Sequence, residues 1–408
     1  AFIEATGSMS QVFFSPFGSQ PSDVATGSIN RTELRTFSVS PYVQGLLGDG
    51  GRYRLRSDNS YTSFSAGPSF TFTTNGVAGE VSGARNSLVS LGANASHSMT
   101  SFGADSQLTS QSATVRATLN ADREFVPYVT GGYEYNEFFL ATFQGARYGG
   151  GFVWRPSPRT TVDLSTERRY FGTSFKFDLS HRTRLGIWSL TAYRTDRVTP
   201  AGGGFGGAVG PTAVSTREVL SDLLRGRFAD EAERQIEVQR LISSGQLPST
   251  LSQQAAIASP RVLLIEGVEP RVALTGARNT GLASIFWRRS RPLSGNGGLN
   301  AQDVFNLVEA FDQVGASLTW SHRFTQQTSA STGVDWFDIR SSGANALQPS
   351  PIRTEQTVYR LFLTQEIAAG TTATAGLRFT RFEGEASGTP TVEARERAIQ
   401  FGVVHKFF

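Results

Sequence analysis

Hydrophobic and polar residues alternate along much of this chain, most cleanly in Val314–Arg323 (VGASLTWSHR). Val314, Ala316, Leu318 and Trp320 fall on one side; Gly315, Ser317, Thr319, Ser321 and Arg323 fall on the other. A period of two is that of a β-strand, whose successive side chains point to opposite faces. The polar side is small and hydroxylic, as suits a water-filled interior. The apolar side ends in an aromatic, as suits the edge of a bilayer. The pattern recurs down the chain and predicts an all-β fold. It is that of a transmembrane, antiparallel, up-and-down β-barrel of about 18 strands, with 16 as the alternative count.

Strands are predicted near residues 2–14, 31–46, 52–63, 72–82, 87–99, 112–123, 127–138, 145–155, 160–170, 173–182 and 185–197. They resume at 268–277, 280–290, 311–323, 327–339, 355–366, 371–383 and 394–408. Connections at 368–370, 325–326, 278–279, 156–159 and 124–126 are short, whereas the alternating ones, such as 291–310, 341–353 and 384–393, are mostly longer. Short periplasmic turns and long outer loops are the asymmetry of outer-membrane barrels. The 170–173 connection is the exception, short on the long-loop side.

One segment breaks the period. In residues 215–245 (STREVLSDLLRGRFADEAERQIEVQRLISSG), Ser215 and Glu218 form a capping box. Leu220, Leu223 and Leu224 mark an apolar stripe, and Gly245 supplies a stop. Two helices are predicted, about 216–226 and 228–244, reached through the AGGGFGGAVG linker. The chain is thus divided into barrel strands at 1–198, a helical insertion at 199–267, and barrel strands at 268–408. The insertion is expected on the outer side, as a plug, a constriction or a cap.

Composition narrows the class. No apolar run approaches the roughly 18–20 residues of a membrane helix, and mean hydropathy is −0.21. Barrel strands escape that test because half their residues face water. The absence of Cys excludes disulfides, zinc–thiolate sites and c-type haem attachment. Only Lys176 and Lys406 are lysines, so nearly all of the 38 basic residues are Arg. They are scattered and the net charge is only +4, so no nucleic-acid partner is expected. The opening AFIEATGSMS has no signal-peptide character, and Ala1 begins inside a strand, so sequence upstream of it is expected.

Candidate positions follow from phase. Trp154, Trp188 and Trp320 lie near periplasmic strand ends and Trp287 and Trp336 near the opposite ends. Two aromatic girdles are expected where strands leave the hydrocarbon. Arg147, Arg155, Asp163, Glu167, Lys176, Asp178, Arg182, Arg271, Arg360 and Arg378 are assigned to the lumen. There they either select anionic solutes or polysaccharide, or pair with one another and hold a closed barrel rigid. His97, His181, His322 and His405 sit on different strands without metal-ligand spacing, so neither catalysis nor a metal or other cofactor is expected. The last strand alternates Ile399, Phe401 and Val403 with Gln400, Gly402 and Val404 and ends at Phe408. This partly matches an insertion signal for the outer-membrane assembly machinery; Lys406 departs from the pattern.

The stretches 15–43 (SPFGSQPSDVATGSINRTELRTFSVSPYV), 131–138 (GGYEYNEF), 152–184 and 272–280 (VALTGARNT) resemble a family of bacterial barrels. These are the outer-membrane β-barrels associated with exosortase (PEP-CTERM) and exopolysaccharide systems. The W-x-P-S-x-R-T and R-x-F-G motifs carry much of that resemblance. It implies a Gram-negative outer membrane, contact with lipid and lipopolysaccharide, and a link to exopolysaccharide or the surface matrix. No catalytic residues come with it. Two functional readings stand: a channel or porin-like protein serving surface-polymer export, and a non-conducting scaffold blocked by its insertion.

Overall fold

The computed structural model describes residues 1–13, 17, 31–48, 50–64, 71–84, 88–102, 106–138, 141–198, 221, 235, 238, 261–293, 308–342, 352–368, 370–386 and 392–405. They form one 18-stranded antiparallel sheet. Its first nine strands are β1 (Phe2–Phe13), β2 (Arg31–Leu47), β3 (Gly51–Phe64), β4 (Thr71–Ser82), β5 (Val89–Phe102), β6 (Ser106–Leu119), β7 (Phe125–Phe138), β8 (Ala141–Ser157) and β9 (Thr160–Arg169). The rest are β10 (Gly172–Arg182), β11 (Gly186–Val198), β12 (Val262–Thr275), β13 (Asn279–Pro292), β14 (Ala310–Arg323), β15 (Thr328–Ser342), β16 (Ile352–Ala368), β17 (Thr371–Ala386) and β18 (Val392–His405).

Each strand is laddered to its neighbours in the chain, from β1–β2 through β17–β18. The topology is therefore up-and-down. Among the described residues no ladder joins β18 to β1, so hydrogen bonds do not complete the ring expected from the sequence. Both edges carry exposed apolar residues, Ile3 and Met9 on β1 and Ile399, Phe401 and Val403 on β18.

Packing shows that the sheet curls. Val262 of β12 shares a buried cluster with Leu108 of β6 and Phe138 of β7. In a flat sheet, six strand spacings of about 4.8 Å would hold β6 and β12 roughly 29 Å apart. Phe17, in the connection after β1, packs edge-on against Phe311 of β14 with centroids 6.2 Å apart. The Thr354 hydroxyl of β16 donates to the Phe17 carbonyl at 2.9 Å. The first connection of the chain thus crosses to strands far along it.

Two strand starts differ most from the alternation, each by six residues. β6 runs Ser106–Leu119 rather than 112–123. Its first residues, Gln107, Thr109 and Gln111, are polar on the outward phase, which hides a strand from a test for apolar alternation. β12 begins at Val262, inside the segment assigned to the insertion. Val262, Leu263, Leu264 and Ile265 are all buried, so both faces of this run are covered. A strand covered on both faces loses its period of two.

The predicted helices and the 199–260 part of the insertion lie outside the described residues, save that Ser221, Gln235 and Val238 have helical backbone. Phe408 also lies outside them. The turns 48–50, 83–88, 120–124, 158–159, 183–185, 276–278, 324–327 and 369–370 all fall on one end of the sheet, the periplasmic end by loop length. The other end carries the long connections 14–30, 199–261 and 293–309, but also the short 103–105, 139–140 and 170–171. Three consecutive alternate connections between β5 and β10 therefore break the expected asymmetry, not the last alone. At 170–171 the turn depends on Gly172, whose φ of 110° is open to glycine at little cost.

Candidate functional site

The inner face of the curled sheet has two contrasting walls. On β3 to β6 the middle of the inward phase is hydroxylic: Ser60, Thr62, Thr74, Ser96, Thr100, Ser110, Ser112 and Thr114. Phe64, Phe72, Phe102 and Leu108 are packed at its long-loop end, and Arg52, Arg54 and Arg116 lie toward the short turns. The hydroxyls satisfy one another across strands. Thr36 meets Thr62 at 3.2 Å, Thr74 meets Thr100 at 3.0 Å, and Ser96 meets Ser112 at 2.9 Å. Ser110 donates to Asn136 Oδ1 at 2.7 Å, and Thr114 donates to Asn94. Small polar side chains in register leave room beside the wall. Asn94 and Arg116 on it are exposed.

The wall from β12 to β16 is filled. At its long-loop end Leu263, Ile265, Phe286, Val308, Phe311, Phe337 and Ile339 form one buried apolar cluster, against which Phe17, Tyr193 and Ile352 pack. Leu108, Phe138 and Val262, with Phe102, Phe143, Tyr170 and Leu293, form another at the same end. Below the apolar layer Arg288, buried, donates to Gln313. Arg271 reaches the buried Glu269 at 2.7 Å.

The ten charged positions assigned to the lumen occupy this inner face or its short-turn end. Arg147 pairs with Glu167 at 2.5 Å, and Thr130 also donates to Glu167, at 3.2 Å. Lys176 pairs with Asp178 at 2.7 Å, and Thr191 donates to Asp178 at 3.0 Å. Asp163 lies directly across from Asp178. Arg360 binds Asp335 and Arg378 binds Glu396, with the two arginines opposite each other in the β16–β17 ladder. Arg155 and Arg182 stand at the short-turn end, their backbone N–H groups donating to Glu124 and Arg159 carbonyls. Five of the ten are therefore basic partners in ion pairs, which neutralise much of the expected field.

Sequence reasoning missed the tightest knot. Arg169, at the end of β9, bridges Glu134 of β7 (2.9 Å) and Asp196 of β11. The Tyr170 N–H donates to Glu134 at 2.8 Å and its hydroxyl to Asp196 at 2.7 Å. The short β9–β10 hairpin is held down by this bridge at its tip. The signal was the R-Y-F-G sequence read together with two carboxylates on the inward phase of strands two away.

The outer face was also read incompletely. Along β13, β14, β16 and β18 the outward positions Ile285, Leu318, Leu361 and Phe401 are 57%, 53%, 49% and 83% exposed. Toward the long-loop end that apolar band gives way to charge. Arg289, Asp312, Arg340 and Arg353 follow one another in a single hydrogen-bond row, and Asp338, Glu355, Glu383 and Glu393 in the next. Asp338 takes Arg340 at 2.5 Å and Arg353 at 2.9 Å. Trp287 shares the row of Asp338, and Trp336 donates its indole N–H to Glu355 at 2.9 Å. Trp154, Trp188 and Trp320 are exposed nearer the short-turn end. In the hydrocarbon an outward Arg or Lys costs about 2–4 kcal/mol at the midplane and little at the interface. The charged rows therefore lie beyond the hydrocarbon. An even-stranded sheet with an apolar outer band and a polar interior is an outer-membrane fold.

His181, His322 and His405 each bond a neighbouring residue, Thr160 at 2.9 Å, Asn279 at 2.8 Å and Thr371 at 2.7 Å. Among the described residues no group of three His, Asp or Glu side chains is placed to hold a metal ion.

No protein-family model and no curated protein matches the chain. Solved structures with a similar course include OccK2 (OpdF) of Pseudomonas aeruginosa, 10% identical over 98% of this chain and 96% of that one, TM-score 0.39. The FrpB iron transporter of Neisseria meningitidis is 10% identical over 99% and 77%, TM-score 0.38. An anion-selective porin from Comamonas acidovorans is 8% identical over 90% and 100%, TM-score 0.31. Likeness at this level assigns neither solute nor activity.

Proposed function

We propose that the chain is a porin-like channel of the bacterial outer membrane, its bore running beside the hydroxyl wall of β3 to β6. The observation that carries this is the contrast of walls: small, mutually bonded hydroxyls on one side, and packed apolar and ion-paired groups on the other. Water and polar solute need an inner surface of the first kind. The lumen charges Arg147, Glu167, Lys176 and Asp178 flank that surface and set its selectivity. Trp154, Trp188, Trp287, Trp320 and Trp336 anchor the barrel at the two interfaces. The resemblance in residues 15–43 and 152–184 supports service to the exopolysaccharide or surface matrix.

A second reading is favoured by the two buried clusters at the long-loop end, which suit a blocked barrel acting as a scaffold. Planar-bilayer conductance separates the two. A channel predicts steps from the purified wild type, enlarged when residues 215–245 are removed. If neither protein conducts, the channel reading falls and the scaffold stands.

A further inference from the structure

At one place the outward phase of the sheet is covered. On β11 and β12 the even-numbered residues face outward, and Trp188, Val268 and Leu274 among them are exposed. Toward the long-loop end the same phase is hidden: Val262 and Leu264 are buried, and Asp196, directly opposite Leu264, is largely so. The groups that cover it belong to the inner face of β6 to β9. Val262 packs with Leu108 of β6 and Phe138 of β7, both inward. Asp196 binds Arg169, inward on β9, which also holds Glu134, inward on β7. Tyr170, at the tip of the β9–β10 hairpin, stacks on Phe138 and Phe143 with centroids 5.9 and 5.5 Å apart. Its hydroxyl donates to Asp196 at 2.7 Å. The ends of β11 and β12 therefore lie inside the mouth of the barrel, not in its wall.

The ladders show how they come to be there. β11 pairs with β10 only as far as Arg194, whereas it pairs with β12 as far as Val198. Past Arg194 the two strands form a ribbon released from the wall on its β10 side, and it leans over the short hairpin into the bore. The ribbon's other face, Leu263 and Ile265, packs with Phe286, Phe311 and Phe337. Nearer the short turns the β12–β13 ladder omits Glu269 and Pro270. Proline has no N–H to give a neighbouring strand, so pairing is weakest there. Gly267 is close by, with the Tyr193 ring and the Trp287 carbonyl 2.9 and 3.1 Å from where a Cβ would stand.

We infer that the β11–β12 ribbon is a gate across the long-loop mouth, pivoting at residues 267–270, and that Asp196 and Tyr170 latch it to the β9–β10 hairpin. The inference deepens the channel reading and rests on it for what an open gate lets through. Arg169 belongs to the wall side of the latch, because Glu134 holds it there whether or not Asp196 is engaged. Releasing Asp196 thus frees the ribbon without stripping a buried carboxylate of its cation. As the ribbon swings out Asp196 regains water, which offsets the lost pair, and the apolar contact of Val262 favours closure.

The chain has no native cysteine, so a single introduced thiol reports access alone. The test uses the full chain in detergent and a charged, water-soluble maleimide. Leu264→Cys is expected to react slowly in the otherwise wild-type protein. Adding Tyr170→Phe and Asp196→Asn is expected to speed the reaction at least tenfold; should that pair of changes not fold, Asp196→Asn alone is expected to give at least threefold. Ser331→Cys, buried on the inner face of β15 toward the short turns, is expected to change by less than about twofold in the same backgrounds. A Leu264→Cys thiol that reacts as fast as an exposed one before the latch is cut, that fails to accelerate afterwards, or that accelerates no more than Ser331→Cys overturns the gate. If Leu264→Cys responds as expected and no variant conducts, the gate stands and the channel reading falls. If the wild type conducts and Leu264→Cys does not respond, the reverse holds.

Discussion

The walls of β3–β6 and β12–β16 are built on the same backbone and differ most in the side-chain volume at the middle of their inward faces. On β5 the inward positions Asn94, Ser96, Ser98 and Thr100 are small and polar. On β13 and β15 the corresponding phase carries Leu282, Phe286 and Arg288, and Phe337 and Ile339, all buried. Long connections lie beside the filled wall, and Phe17 and Val308 from two of them enter its core. The β5–β10 side has short connections at that end, and there Tyr170 of the 170–171 turn packs with Leu108, Phe138 and Phe143. The comparison teaches that the filling of a wall is set mainly by the bulk of its own inward strand residues, with Phe17 and Val308 added from long connections and Tyr170 from a short one.

Five variants test that contrast. Arg169→Ala should have the largest effect, because it leaves Glu134, almost fully buried, without its cation. Breaking a buried pair costs about 3–5 kcal/mol. Denaturant unfolding of the purified barrel should show this loss, whereas Arg147→Ala, in the more open part of the wall, should stay within about 1 kcal/mol. Equal losses would remove the distinction between a structural knot and a lumen pair.

Phe311→Ala comes next, at about 3–5 kcal/mol for truncating a buried aromatic. It should also widen the bore, read as higher single-channel conductance. An unchanged stability would mean that the apolar cluster at the long-loop end is not cohesive. Beside the hydroxyl wall, on β7, Gly132 is a tight spot, where a Cβ would collide with the Ala113 carbonyl. Gly132→Ala should cost about 1–3 kcal/mol by overpacking, measurable as a lower unfolding midpoint. The smallest effect is expected from removing the Ser96–Ser112 pair together. Replacing both hydroxyls by Ala leaves no unsatisfied group and should change stability by less than about 1 kcal/mol, with midpoint shifts near the noise.

Much of the fold was legible. Period-two alternation located most strands within a few residues, since a wall between lipid and water imposes opposite demands on successive side chains. It faltered at Gln107–Gln111, polar on the outward phase, and at Val262–Ile265, apolar on both. The candidate site was legible only as phase. The alternation assigns Arg360 and Arg378 inward, yet it says nothing of Asp335 and Glu396, their partners on neighbouring strands. Arg52, Arg54 and Arg116 carry the same inward phase, which the ladder of β3 to β6 makes plain. The outward rows around Asp338 and Arg353 were unexpected for a different reason. A charge facing outward is costly only within the hydrocarbon, and a linear pattern does not mark where the hydrocarbon ends.

What the amino-acid sequence determined by itself is the local alternation, hence strands, faces and up-and-down order, because each depends on residues a few positions apart. The tertiary structure alone decided which charges meet, which part of the interior is filled, and that among the described residues no ladder joins β1 to β18. Those depend on register and curl across strands hundreds of residues apart in the chain, as with Phe17 and Thr354. No local pattern encodes such distances, since the same alternation is compatible with many registers until a whole sheet has been paired.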